Sequence, residues 1–159
     1  YLSEIVEEYK GKVGLIFRSY ILSYHKNGTA AAHAANAAAL QGYWQPFATI
    51  LFKNQAEWED LEAGKRDAKF KSYFEEASKN QGNADRFLSD MNSEAVKKKV
   101  KSDMAVAKLV NITETPTIII NGEKLPTISV NESTFKKTVH EMIDAALKKA
   151  ESDSSNNTK

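Results

Sequence analysis

The stretch "NITETPTIIINGEKL", residues 111–125, decides how this chain is read. A polar turn runs into Thr115-Pro116, then into the β-favouring run Thr117-Ile118-Ile119-Ile120, and then into Asn121-Gly122. Asn-Gly after such a run is a strong turn signal. The stretch therefore predicts a strand over "TIII", a tight turn, and a short second strand around Lys124 to Ser129. A proline held against the mouth of a strand calls for a reason, and no cysteine exists anywhere in the 159 residues to face it.

Working outward, "SEAVKKKVKSDMAVAKLV" (93–110) places Val96, Val100, Met104 and Ala107 on one helical stripe, with Ser93 as a cap. Its lysines fall between apolar residues at helical spacing, which makes them a solvated helix face. Ala84 to Met91 and Ala68 to Ala77 are further helices carrying Phe87 and Leu88, and Phe70, Tyr73 and Phe74. "QPFATILF" continues as a helix with Pro46 tolerated in its first turn. Eight of the ten residues from Ala30 to Ala39 are alanine, the best helix former, and Thr29 is placed to cap that helix. Upstream, Asn27-Gly28 signals a turn. "KVGLIFRSYIL" (12–22) is nearly continuous and apolar, so a strand buried on both faces is expected there. "YLSEIVEEYKGK" puts Leu2, Ile5, Val6 and Tyr9 on one helical stripe that stops at Gly11, with no cap before Tyr1. A last helix is expected from about Glu132 to Ala150, lined by Phe135, Val139, Met142, Ile143, Ala146 and Leu147. The tail 151–159 has no apolar anchor and is expected to be disordered.

Strand, long helical crossover and strand together imply an α/β domain with a helical insertion. The composition is that of an ordinary folded domain, with 42 % hydrophobic and 27 % charged residues. A net charge of +1 supplies no field to attract nucleic acid. No apolar run approaches the ~20 residues of a membrane span. His25, His33 and His140 are too scattered for a metal cluster.

In their order and spacing, these segments resemble DsbA-type thiol-disulfide oxidoreductases, a thioredoxin-like fold with an inserted helical subdomain. The likeness rests on "YKGKVGLIFRSYIL", on the Ala-rich "AAAHAANAAALQGYWQPFATILFKNQAEW" with Gln41-Gly42-Tyr43, Leu51-Phe52-Lys53-Asn54-Gln55 and Trp58, and on "VKSDMAVAKLVNITETPTIIINGEKL". It implies a thioredoxin-like portion at 1–28 and 111–150 and a helical insertion at 29–110. By the same resemblance Pro116 follows a cis bond, and Thr115 and Pro116 bind an extended protein substrate. It further implies no cofactor, an extracytoplasmic setting in a bacterial cell envelope, and a membrane redox partner.

The chemistry of that family needs a Cys-x-x-Cys at a helix start, where the helix dipole favours the thiolate. The motif belongs just ahead of a segment like "YLSEIVEEYKGK", along with a central strand lying between "GLIF" and "TIII". A segment on the order of 20–40 residues is therefore expected upstream of Tyr1. The alternatives are a redox-inactive relative that binds peptides or a partner through the same groove, and an interaction module docking through its Ala-rich helices.

Other positions are read as structural. His33 is taken as a packing or capping residue, and Trp44, Phe47, Phe70 and Phe74 as core, with some of these aromatics free to line a groove beside the redox centre where unfolded substrates would rest. Asp103 is expected to be exposed. Asn27, Asn111, Asn131 and Asn156 open glycosylation triplets that arise readily by chance, and Glu7, Glu8, Asp60 and Glu62 show no paired geometry.

Overall fold

The computed structural model describes residues 2–126 and 132–156. In chain order its elements are α1 (Leu2–Glu8), α2 (Gly28–Ala39), α3 (Trp44–Lys53), a 3-10 turn at Gln55–Glu57, α4 (Ala63–Ala77), α5 (Ala84–Met91), α6 (Glu94–Leu109), β1 (Ile119–Ile120), β2 (Glu123–Lys124) and α7 (Glu132–Asn156). They form two compact units. One comprises Tyr1–Phe17 with Glu114–Lys159, and the other Arg18–Thr113.

The unit Arg18–Thr113 is helical, and its core follows from its composition. Ala31, Ala34, Ala35, Ala37 and Ala38 of α2 are buried, and their small side chains let neighbouring helices close in. The space is filled by rings. Phe74 stacks on Phe87 with centroids 4.4 Å apart, Tyr43 meets Phe74 edge-on, and Trp58 meets Phe70 edge-on. Phe47, Phe70, Phe74 and Phe87 are fully buried. A Cβ at Gly82 would lie 2.6 Å from the Phe74 ring, so that position admits no side chain. Asn83 and Ser93 cap α5 and α6 by accepting from the Arg86 and Val96 amides.

Several expectations for this unit need correction. Thr29 lies inside α2 and does not cap it. The residue before the helix is Asn27, whose buried amide faces away from the helix start. It donates to the carbonyls of Trp58, Glu59 and Leu61 and accepts from Arg66, fixing the loop after the 3-10 turn. The Asn27 triplet is thus occupied by packing. Helix α4 begins at Ala63, five residues before the expected Ala68.

The other unit pairs α1 with α7. Ile5, Val139 and Ile143 are buried together, with Val13, Ile120, Leu125, Phe135 and Leu147 packed around them. Gly11, at φ +80, adopts the left-handed conformation that ends the first helical segment. Asn121 and Gly122, at φ +46 and +90, make the type I′ turn that suits a two-residue hairpin. It pairs Ile120 with Glu123 and Ile119 with Lys124.

The expected buried strand over 12–22 does not form. Among the described residues the sheet has two strands, β1 and β2. Residues 13–16 carry no ladder, and Ile16 is 77 % exposed. An apolar run makes a strand only when another edge satisfies its amides and carbonyls. The unit boundary also falls at 17/18, because Arg18 and Ser19 are bonded to Asp103, and Ile21 to Met104. Strand β1 is shorter than "TIII"; of the expected second strand, 124–129, Lys124 belongs to β2, Leu125 and Pro126 lie outside it, and 127–129 fall outside the described residues. The tail is not wholly disordered: α7 continues through Asn156, since extending an existing helix costs little.

Candidate functional site

The unit built on α1 and α7 contains a cleft of about 190 Å³. One wall is Lys12, Val13, Gly14 and Leu15, the other is Ile118 to Asn121, and Ile5, Val6, Val139, Ile143, Ala146 and Leu147 supply the apolar remainder. The β1 wall is polar along its backbone. Ile118 O accepts from Leu125 N at 2.8 Å, and Ile120 faces Glu123. Ladder groups alternate in direction along a strand, so the N–H and C=O of Ile119 point away from β2. Hence, among the described residues, β1 pairs with β2 on one edge and has no strand partner on the other.

The chain enters β1 through Thr115-Pro116. Their peptide bond is cis, and both residues are exposed. Thr117 Oγ1 donates to Glu114 O at 2.7 Å, closing the turn ahead of the strand. Lys124 of β2 lies 3.8 Å from Glu114. The two residues singled out by sequence thus stand at the mouth of β1, both exposed.

A thioredoxin family model matches residues 1–149. The chain belongs to the thioredoxin family. No curated protein and no solved structure matches it. Family membership and the mixed helix and sheet architecture together support a thioredoxin-like fold.

Thioredoxin-family chemistry runs through thiolates, and these 159 residues contain no cysteine. Among the described residues no group of three or more His, Asp or Glu is arranged to hold a metal ion, and no helix is long and apolar enough to cross a membrane.

Two polar clusters lie outside the cleft, and sequence reasoning missed both. Asp103, expected to be exposed, is 1 % exposed. Its carboxylate accepts from Lys99, from Arg18 at 3.0 Å and from the Ser19 amide at 3.1 Å. Burial pushes its pKa up, but Lys99, Ser19 and Arg18 outweigh burial and hold the carboxyl below the usual range. Lys99 and Asp103 were legible as an i, i+4 pair, while Arg18 is 85 residues away. The second cluster joins Glu8 and Tyr9 to His140 and Asp144. His140 and Asp144 also share a face at i, i+4, but their partners lie some 130 residues off. His33 is half-buried, and burial, then the charge of Lys97, holds its pKa down, in keeping with a packing role.

Proposed function

We propose that this chain is the scaffold of a DsbA-like thiol-disulfide oxidoreductase acting on protein substrates. The observation that carries the proposal is the cleft: two β-favouring segments, one with an open ladder edge, flank an apolar space suited to an extended strand. In this reading a segment from outside these 159 residues occupies the cleft and carries the Cys-x-x-Cys, whose thiolate attacks a disulfide sulfur. Thr115 and Pro116 hold the substrate beside it, the main chain of the exposed residue Thr115 pairing with an extended peptide by β-strand addition. The helical unit 18–113 serves as the family's insertion. The setting is extracytoplasmic, with a membrane redox partner to restore the dithiol or disulfide.

A second reading is favoured by the absence of cysteine. The same groove can serve a redox-inactive module that binds peptides or a partner protein. An insulin-reduction assay separates the two, run on the full native gene product. The oxidoreductase reading expects activity that is lost when either of two cysteines is replaced by serine. If no cysteines precede Tyr1 and insulin stays intact, that reading is finished and the binding module stands.

A further inference from the structure

Tyr9 and His140 sit in a row of four side chains. Asp144 Oδ1 lies 2.7 Å from Tyr9 Oη, Tyr9 Oη lies 3.1 Å from His140 Nδ1, and His140 Nε2 lies 3.0 Å from Glu8 Oε2. The row ends on a carboxylate at each side, and an ionised carboxylate only accepts. Three contacts need three hydrogens. Tyr9 brings one. A neutral imidazole brings one more and an imidazolium two. With neutral His140, one of the three contacts therefore sets acceptor against acceptor. With protonated His140, every contact carries a hydrogen.

We infer that His140 is a proton-operated clasp between α1 and α7. In the closed form Tyr9 donates to Asp144, His140 donates through Nδ1 to Tyr9 and through Nε2 to Glu8, and the imidazolium sits between two carboxylates. Loss of the proton leaves a gap in the row and two negative charges with no cation between them, and α1 is held less firmly.

The neighbouring charges do not supply a substitute. On α7, Lys136 is paired with Glu4 of α1 at 3.1 Å, and Lys137 with Glu141 at 3.8 Å. At the end of α1, Glu7 and Lys10 face each other at 3.7 Å. Tyr9 keeps its proton throughout the relevant range, because burial, then the bond to Asp144, pushes its pKa up to about 12. The clasp bears on the cleft, since Ile5 and Val6 of α1 line it. The inference is independent of any thiol chemistry.

Hydrogen exchange of the full chain tests it, read as protection factors for α1 amides at pH 5.5 and 8.0. In the wild type, protection should be roughly five-fold higher at pH 5.5, the net weight of about one ordinary hydrogen bond. The ratio should fall to near one in His140→Gln and should shrink in Tyr9→Phe and in the exposed-site variant Glu8→Gln, each of which leaves one carboxylate near the imidazolium. Lys136→Gln should lower protection equally at both pH values. Amides of the helical unit, which holds His25 and His33, serve as the internal reference. A wild-type ratio near one, the same ratio retained in His140→Gln, or no protection of α1 at either pH would each overturn the clasp.

Discussion

The two units meet the cost of a core in opposite ways. The helical unit, Arg18–Thr113, satisfies nearly everything within itself. Its alanine faces allow close helix approach, its rings fill the centre, and its buried carboxylate at Asp103 has three donors. The unit built on α1 and α7 buries Ile5, Val139 and Ile143, and its exposed apolar residues Leu15 and Ile16 lie on strand-favouring main chain that joins no ladder, whereas the exposed Phe52 and Leu109 of the helical unit sit on helices. Local contacts make the difference. A helix completes its hydrogen bonds within one segment, whereas a strand depends on neighbours that can lie anywhere in sequence. A run of helices therefore closes from its own residues, while a strand-forming segment waits on another edge. The open surface of the second unit is also where Thr115 and Pro116 stand.

That contrast breaks most directly at Phe74. Its ring is fully buried, stacked on Phe87 and met edge-on by Tyr43. Phe74→Ala should cost about 4 kcal/mol, transfer and cavity together, measured by urea unfolding followed through Trp44 and Trp58 fluorescence. A cost below about 1 kcal/mol, smaller than typical for a buried aromatic, would mean that the helical unit is not closed.

Asp103→Asn should come next, at about 3 kcal/mol, because charge-assisted bonds from Lys99, Arg18 and the Ser19 amide are weakened together. The effect should depend on pH. The folded pKa of Asp103 is held below its ordinary value of 3.8. The stability it contributes is thus fully present above that value and is lost as pH falls through the folded one. Unfolding midpoints from pH 6 down to 2 should fall more steeply in the wild type than in Asp103→Asn. Some acid slope should survive in the variant, because hydrogen bonds from Lys69 and Lys26 also hold Glu57 and Glu62 below the usual range. Equal slopes would remove Asp103 from the account of acid stability.

What was legible in the sequence divides by the reach of each contact and cuts across both units. The helices of the closed unit were readable because their periodicity and caps are local: α5 begins and ends at Ala84 and Met91 as expected, and Ser93 caps α6. The Asn121-Gly122 hairpin was readable for the same reason. Asp103 was not, because one of its cations comes from far away in sequence, and composition cannot say which exposed-looking carboxylate will be buried. Asn27 was read as a turn residue, while its buried amide organises a loop more than 30 residues on. The clearest divergence is "KVGLIFRSYIL". Its apolar pattern reports the partners that such a run requires, and pattern alone cannot say whether those partners are present.

The smallest expected effect tests that last point. A strand buried on both faces would make Ile16 a core residue, and Ile16→Ser would then cost several kcal/mol through lost burial and a stranded hydroxyl. In the structure Ile16 is 77 % exposed and belongs to no ladder. The substitution should therefore shift the unfolding free energy of the 159-residue chain by less than about 0.5 kcal/mol, read by far-UV circular dichroism in urea. A loss of 2 kcal/mol or more, the scale of fully burying an isoleucine side chain, would show that residues 13–16 are already packed and the cleft closed. The contrast between the units would then fail at its open end. If the small effect holds, the same substitution becomes informative in the presence of the Cys-x-x-Cys segment that the proposed function invokes. A cost that appears only there would mean that an added segment has turned an idle apolar run into part of a core.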